Sequence, residues 1–347
     1  MATLKVAAVQ AAPVFLDRSA SVEKACRLIE EAGGHGARII GFPEGFIPAH
    51  PYWFHFEPAI SRRARQLNQE LLRNAITVPG PEVDALCEIS RKVESYVVMG
   101  VCERSIEASS TLYNTQLFIT PKGVLAAKHQ KLVPTHAERV VHAPGLRRHA
   151  LACIDTPWGG LGGLICGEHS NTLARFALIA MKERFHVGSW PANFSAGHAR
   201  AMYETKNINA KAHCLEGNLV VINAAGVLND KIKAMLCDSE GKAAICESNG
   251  GGSAIVGPGA EYLAGPLAGE EQILYAEVDL KSFDERGLMR DITGHYQRAD
   301  VFHLTVNCED TPLLTVTGAN QKEAIPLTEE VRSPVALSSN KSQIKNI

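Results

Sequence analysis

The chain has 347 residues, 46% of them hydrophobic and 21% charged, and a formal net charge of −2. Such a chain is long enough to bury a large core, and its near-neutral charge excludes the basic footprint of a nucleic-acid or anionic-membrane binder. No apolar run approaches the roughly 20 residues of a membrane helix, and the nine scattered cysteines, with no CxxC pair, exclude a disulfide framework or a structural zinc site.

The opening "MATLKVAAVQAAPVF" reads as a first strand and not as a secretory leader, which with the cysteine usage points to a reducing cytoplasm. A helix is expected from about Ser19 to Ala32, then the strand "ARIIGFPE". A second helix from about Glu82 to Glu94 leads into "YVVMGVCE" and "LYNTQLFIT". A turn at Pro121-Lys122-Gly123 follows, and then "VLAAKHQKLV". Later come "GGLGGLIC", a helix from Thr172 to Met181, "FHVGSWP", a helix from about Ala196 to Glu216, and "LVVINAAGV". "GGSAIVGPGAEYLAGP" and "QILYAEVDL" close the pattern as a hairpin-like pair.

Strands alternating with helices make an α/β chain, and the hairpins make its sheet mixed. Glycines after "ES" precede a strand and open no helix, so no dinucleotide cradle is expected. The thirteen histidines show no HExxH or clustered ligand spacing, so no metal is expected. One domain spans residues 3–305. Residues 306–347 are polar and aperiodic and read as a tail, loosely held or used in subunit contacts.

Three strand ends carry chemistry. "IIGFPEGF" places Glu44 after one apolar run, "AAKHQKLVPTHAE" places Lys131 after another, and "GLICGE" places Cys166 after a third. Each alone has an ordinary reading: a charged residue returns a buried strand to solvent, and a lone cysteine packs as a small hydrophobe. At a strand-to-helix corner, however, backbone N–H groups face outward and a thiol there can serve as a nucleophile.

With these residues in view, the sequence resembles the nitrilase (carbon–nitrogen hydrolase) superfamily. "FPE", "KLVPTHAE" and "GLICGE" carry the resemblance. "AAVQAAPVFLD", "HPYW", "NTLARFAL" and "GHYQRADVF" support it, over about residues 4–302. "KLVPTHAE" and the cysteine segment match the nitrilase branch. The resemblance implies a four-layer αββα sandwich whose subunits pair as αββα–αββα. A homo-oligomer is therefore expected, from a dimer up to a spiral assembly. It also implies a Glu44–Lys131–Cys166 triad, with Glu138 as a second active-site glutamate, and no cofactor.

The implied activity is hydrolysis of a small-molecule nitrile to an acid and ammonia. An amidase, an N-carbamoyl hydrolase or a cyanide-hydrating variant would use the same residues, and a non-catalytic binding protein on this fold is the remaining alternative. Two positions depart from the family pattern. Gly167 stands where tryptophan usually follows the cysteine, and His50 stands where tyrosine is common. Both bear on substrate range, as do His169 and Trp190, the further candidates for the pocket. Gly167 could instead serve the backbone of the turn, and Trp190 could be core. His129 reads as structural.

Overall fold

A computed structural model describes residues 3–108, 110–192, 199–246 and 249–309 of the chain. The strands are β1 (Thr3–Gln10), β2 (Ile39–Gly41), β3 (Tyr96–Arg104), β4 (Leu112–Ile119), β5 (Leu125–Gln130), β6 (Cys153–Thr156), β7 (Gly159–Ile165), β8 (Glu183–Trp190), β9 (Val220–Ala225), β10 (Ala254–Val256), β11 (Tyr262–Ala264) and β12 (Gln272–Asp279). The helices are α1 (Arg18–Gly34), α2 (Arg62–Asn74), α3 (Pro81–Lys92), α4 (Thr172–Ala180), α5 (Ala199–Gly217), α6 (Asp230–Leu236), α7 (Glu240–Ile245) and α8 (Ser282–Gly287).

The strands form two six-stranded sheets, ordered β12-β1-β2-β3-β4-β5 and β11-β10-β9-β8-β7-β6. Each has a parallel centre and antiparallel flanks. In the first, β1, β2 and β3 run parallel, and in the second β7, β8 and β9 do. Period-two alternation sends Val6 and Ala8 into the interface between the sheets, where they meet Phe185, Val187, Val220 and Ile222. The intervening Ala7 and Val9 face outward onto Ala25, Ile29, Val83 and Leu86 of α1 and α3. On the far side, Ala210 and Cys214 of α5 cover Val221, Ala254 and Val256, and Ala174 and Leu178 of α4 cover Leu164. The order helix, sheet, sheet, helix is the expected four-layer sandwich. Central strands buried on both faces explain why they read as unbroken apolar runs.

Local signals set the helix ends. Asp17 caps α1 by accepting from the Ala20 N–H at 3.0 Å. Pro81 starts α3, with Glu82 and Asp84 in its first turn and Arg91 and Lys92 in its last, matching the helix dipole.

Three helices add to the elements expected from the sequence, and one expected strand pairing needs correction. The segment after "HPYW" holds α2, which sequence periodicity did not reveal because it buries only Ala64 and Leu71. The short helices α6 and α7 were likewise unread. The last strands do not pair with each other: β10 pairs with β11 inside the first segment, while β12 crosses to the other sheet and runs antiparallel to β1. The helix expected from Ala196 is described from Ala199, its first residues lying outside the described ones, as does the expected tail from residue 310 onward.

Candidate active site

Glu44 follows β2, Lys131 follows β5 directly, and Cys166 follows β7 directly. Close backbone approach seats the glutamate. A Cβ on Gly100 of β3 would lie 2.0 Å from the Pro43 carbonyl oxygen, so only glycine lets the "FPE" turn rest on that strand. The Glu44 N–H then donates to the Trp190 carbonyl at 3.2 Å, tying the turn to β8 in the other sheet.

The structure brings Glu44, Lys131 and Glu138 into one buried cluster. Lys131 Nζ donates to Glu44 Oε1 at 2.9 Å and to Glu138 Oε2 at 2.7 Å. Asn114 Nδ2 of β4 bridges the same carboxylates, at 2.6 Å to Glu44 Oε1 and 2.8 Å to Glu138 Oε1. Glu138 also accepts from the Thr135 N–H at 2.8 Å and meets His142 Nδ1 at 3.0 Å. The lysine and both carboxylates are almost wholly withdrawn from water. An isolated buried charge is very costly, so this cluster persists only because every charge has a partner.

The two carboxylates differ. Burial opposes the charge on Glu138, but Lys131 and His142 outweigh it and hold the carboxyl well below its ordinary range. Burial pushes Glu44 up to about 7, against the pull of Lys131 and with the Glu138 charge adding to the rise. Its Oε2 has no hydrogen-bond partner. Glu44 is therefore the carboxylate that can exchange a proton near neutrality. Lys131 is raised despite burial, by Glu44 and Glu138, and stays an ammonium.

Cys166 is partly accessible and sits at φ 51°, in the left-handed region. Burial pushes its thiol up and the Glu44 charge adds to that, while Lys131 and a backbone hydrogen bond from Gly167 favour the thiolate. At rest the thiol keeps its proton. Cys166, Lys131, Glu138, His50, His55, Thr135, Pro191 and Met202 line a cavity of about 180 Å³. Burial pushes His50 far down and His55 to about 3, so both rings face the cavity uncharged. A larger groove of about 680 Å³ along Glu103, Lys128 and Arg148 contains none of the candidate residues.

Among the described residues, the remaining candidates lie outside this cavity wall. Gly167 is exposed, and a Cβ there would lie 3.0 Å from Thr135 Oγ1. The left-handed backbone belongs to Cys166 and not to Gly167, so the glycine is not required by the turn. His169 and Trp190 stand behind the thiol, stacked with ring centroids 4.7 Å apart, and Trp190 Nε1 donates to Asn223 Oδ1 at 3.0 Å. Both are buried, His169 in the turn after Cys166 and Trp190 at the end of β8, and neither lines the cavity.

Other contributors were not foreseen. Asn114 is a polar residue in the apolar "LYNTQLFIT", a signal that could have marked it. Glu168 joins the two sheets behind the site. It accepts from the Leu132 N–H at 2.6 Å and the Ile165 N–H at 2.8 Å, and meets His129 Nε2 at 2.8 Å. His129 thus has the structural place expected of it. Glu183, His186 and His213 also converge, buried, with potential ligand atoms within 4.8 Å of one another. Their separations of 2.7 and 3.2 Å are those of hydrogen bonds and ion pairs.

A two-sheet α/β sandwich with a thiol opening on a cavity beside a buried carboxylate–ammonium cluster is the framework of a hydrolase. The chain belongs to the carbon–nitrogen hydrolase family, whose model matches residues 5–286. It is accordingly a hydrolase acting on carbon–nitrogen bonds. It is 34% identical over 343 residues to "Nitrilase 3" of an unknown prokaryotic organism, covering 97% of this chain and 100% of that one. An aliphatic nitrilase from Rhodococcus rhodochrous is 35% identical over 312 residues, 89% of this chain and 84% of that one. Among solved structures, Saccharomyces cerevisiae Nit3, a member of branch 10 of the nitrilase superfamily, superposes with a TM-score of 0.66 at 18% identity. It covers 85% of this chain and 97% of that one, a likeness of fold.

Proposed function

We propose that this chain is a cofactor-independent nitrilase that converts an organic nitrile to the carboxylic acid and ammonia. The observation that carries the reading is a partly accessible Cys166 that opens on the same cavity as Lys131 and Glu138 and lies within the electrostatic reach of Glu44. The glutamate's unpartnered Oε2 and raised proton affinity suit it to take a thiol proton and return it. A nitrile carbon is a weak electrophile and needs a thiolate.

Glu44 accepts the Cys166 proton as Sγ bonds to the nitrile carbon, and the electron pair of the C≡N bond moves to nitrogen. Lys131 faces that developing charge, and Glu44 returns the proton to nitrogen, leaving a thioimidate. A water then adds to the same carbon with Glu44 as base. Glu44 passes the water proton to the nitrogen, the new hydroxyl gives up its own proton to it as the carbonyl forms, and the nitrogen leaves as ammonia, so that a thioester remains. A second water, deprotonated by Glu44, frees the acid and restores the thiol. Glu138 keeps Lys131 charged and in place throughout.

The neutral wall of His50 and His55 and the small cavity suit an uncharged substrate end beside the nucleophile. Location in the cytoplasm, pairing of subunits, and a hydrolase domain over residues 3–305 followed by a tail belong to the same reading. A panel of nitriles and the corresponding amides, with ammonia release as readout, tests it. Turnover of nitriles to acids is expected, and turnover of amides alone would replace it with an amidase.

A further inference from the structure

Behind the thiol, four buried side chains form a string that the mechanism above does not use. His169 Nδ1 lies 2.7 Å from the Cys166 carbonyl oxygen, and His169 Nε2 lies 3.0 Å from His186 Nε2. His186 Nδ1 lies 2.7 Å from Glu183 Oε1, and His213 Nε2 lies 3.2 Å from Glu183 Oε2. Arg175, paired with Glu216 at 3.0 Å, donates to the His169 carbonyl at 2.9 Å and sets a positive charge beside the string.

The contacts fix a proton count. A carbonyl only accepts, so His169 Nδ1 carries hydrogen. The two Nε2 atoms share a contact that needs one hydrogen. The His186–Glu183 contact needs another, because a bare ring nitrogen against a carboxylate oxygen sets two lone pairs face to face. Two neutral rings supply two hydrogens for three contacts. Whichever ring holds it, the string carries one proton more than neutral imidazoles and a carboxylate provide.

We propose that the Glu183–His186–His169 string is a proton-loaded positioning device for the nucleophile. It fixes His169 as a donor to the Cys166 carbonyl and so holds residue 166 at φ 51°. The same bond polarises the Cys166–Gly167 peptide, which strengthens the Gly167 N–H as a donor to the thiolate and to the charge that develops next to it. His169, His186 and Glu183 are positioning residues. They touch no substrate.

The inference rests on Cys166 being the nucleophile, but its test needs no nitrile. The rate of Cys166 alkylation by iodoacetamide is measured beside kcat, KM and melting temperature in the full chain. Glu183→Leu removes the anchor that orients the His186 ring, and with it the fixed partner that holds His169 against the Cys166 carbonyl. It is expected to slow alkylation and kcat together by about tenfold to a hundredfold, the scale of a misplaced reacting group, with KM unchanged. Glu183→Gln places an amide N–H against His186 Nδ1, restores the count without charge, and is expected to react within about threefold of wild type, a small change beside that loss. Should the leucine variant not fold, His169→Phe keeps the stacking on Trp190 but deletes the donor, and the same loss is expected.

Wild-type rates in Glu183→Leu or His169→Phe would overturn the proposal, as would a Glu183→Gln variant as slow as the leucine one. A stoichiometric divalent metal found by elemental analysis and lost in Glu183→Gln would also overturn it, by making the cluster a metal site. Rapid, string-dependent alkylation in a protein that hydrolyses no nitrile would instead leave this inference standing and remove only the proposed substrate.

Discussion

Glu44→Gln separates the base from the scaffold. Glu44 Oε1 accepts from Lys131 and Asn114, and a glutamine carbonyl can accept both bonds. The amide nitrogen then takes the place of Oε2, which has no partner to lose. Lys131 keeps Glu138 at 2.7 Å, so no buried charge is stranded. Because the Glu44 carboxyl is raised from 4.5 to about 7, the folded protein holds its proton more tightly than the unfolded chain. The contribution of this group to stability is therefore fully present below about pH 4.5 and is lost as pH rises through 7. The rise of the carboxyl to about 7 corresponds to up to about 3 kcal/mol of destabilisation at pH 8 that glutamine relieves. Thermal melts of both proteins near pH 5 and pH 8 are the assay, with ammonia release measured in parallel. The variant should melt higher than wild type at pH 8, close to it at pH 5, and turn over at least about a hundredfold more slowly. A variant that melts lower at pH 8 would show that Glu44 is a stabilising ion-pair partner and not a strained base, and would refute this reasoning.

The other substitutions follow from the same contacts. Lys131→Met leaves two carboxylates joined only through Asn114, so it should lose about 3–5 kcal/mol of stability near neutral pH as well as turnover; a melt unchanged from wild type would contradict the burial argument. Glu138→Gln should lower kcat while the Glu44–Lys131 bond persists, and retained kcat would show that Glu138 does not hold the lysine for catalysis. Gly167→Trp places a Cβ 3.0 Å from Thr135 Oγ1, a residue of the cavity wall. It should cut kcat/KM for large nitriles more than for small ones, and equal losses across a size series would remove the glycine from substrate selection.

Much of the framework was legible because buried parallel strands leave unbroken apolar runs and the charged residues fall just past their ends. "ARIIGFPE", "AAKHQK" and "GLICGE" gave both the strand and the residue that leaves it. Pairing partners were less legible. Nothing local to "QILYAEVDL" says that it crosses to β1, since register depends on which sheet edge is vacant. The helix α2 escaped because its apolar stripe is thin. His169 follows the cysteine closely in sequence, yet it and Trp190 are buried outside the cavity wall, a distinction of side-chain direction that spacing does not encode. The polar residues in and behind the site, Asn114, Glu168, Glu183 and His186, share one signal: each is a hydrogen-bonding group placed where solvent is absent, and each bonds to another buried group.

The central claim is that Cys166 forms a covalent bond to a nitrile carbon. Intact-mass and peptide-mass analysis of the wild-type protein, acid-quenched during turnover of a nitrile, tests it most directly, because the quench traps the adduct that Glu44 helps both to form and to release. The account predicts a mass increase equal to the nitrile, carried by the Cys166 peptide and absent from Cys166→Ala. An adduct on another cysteine, or acid formation that continues in Cys166→Ala, would contradict it.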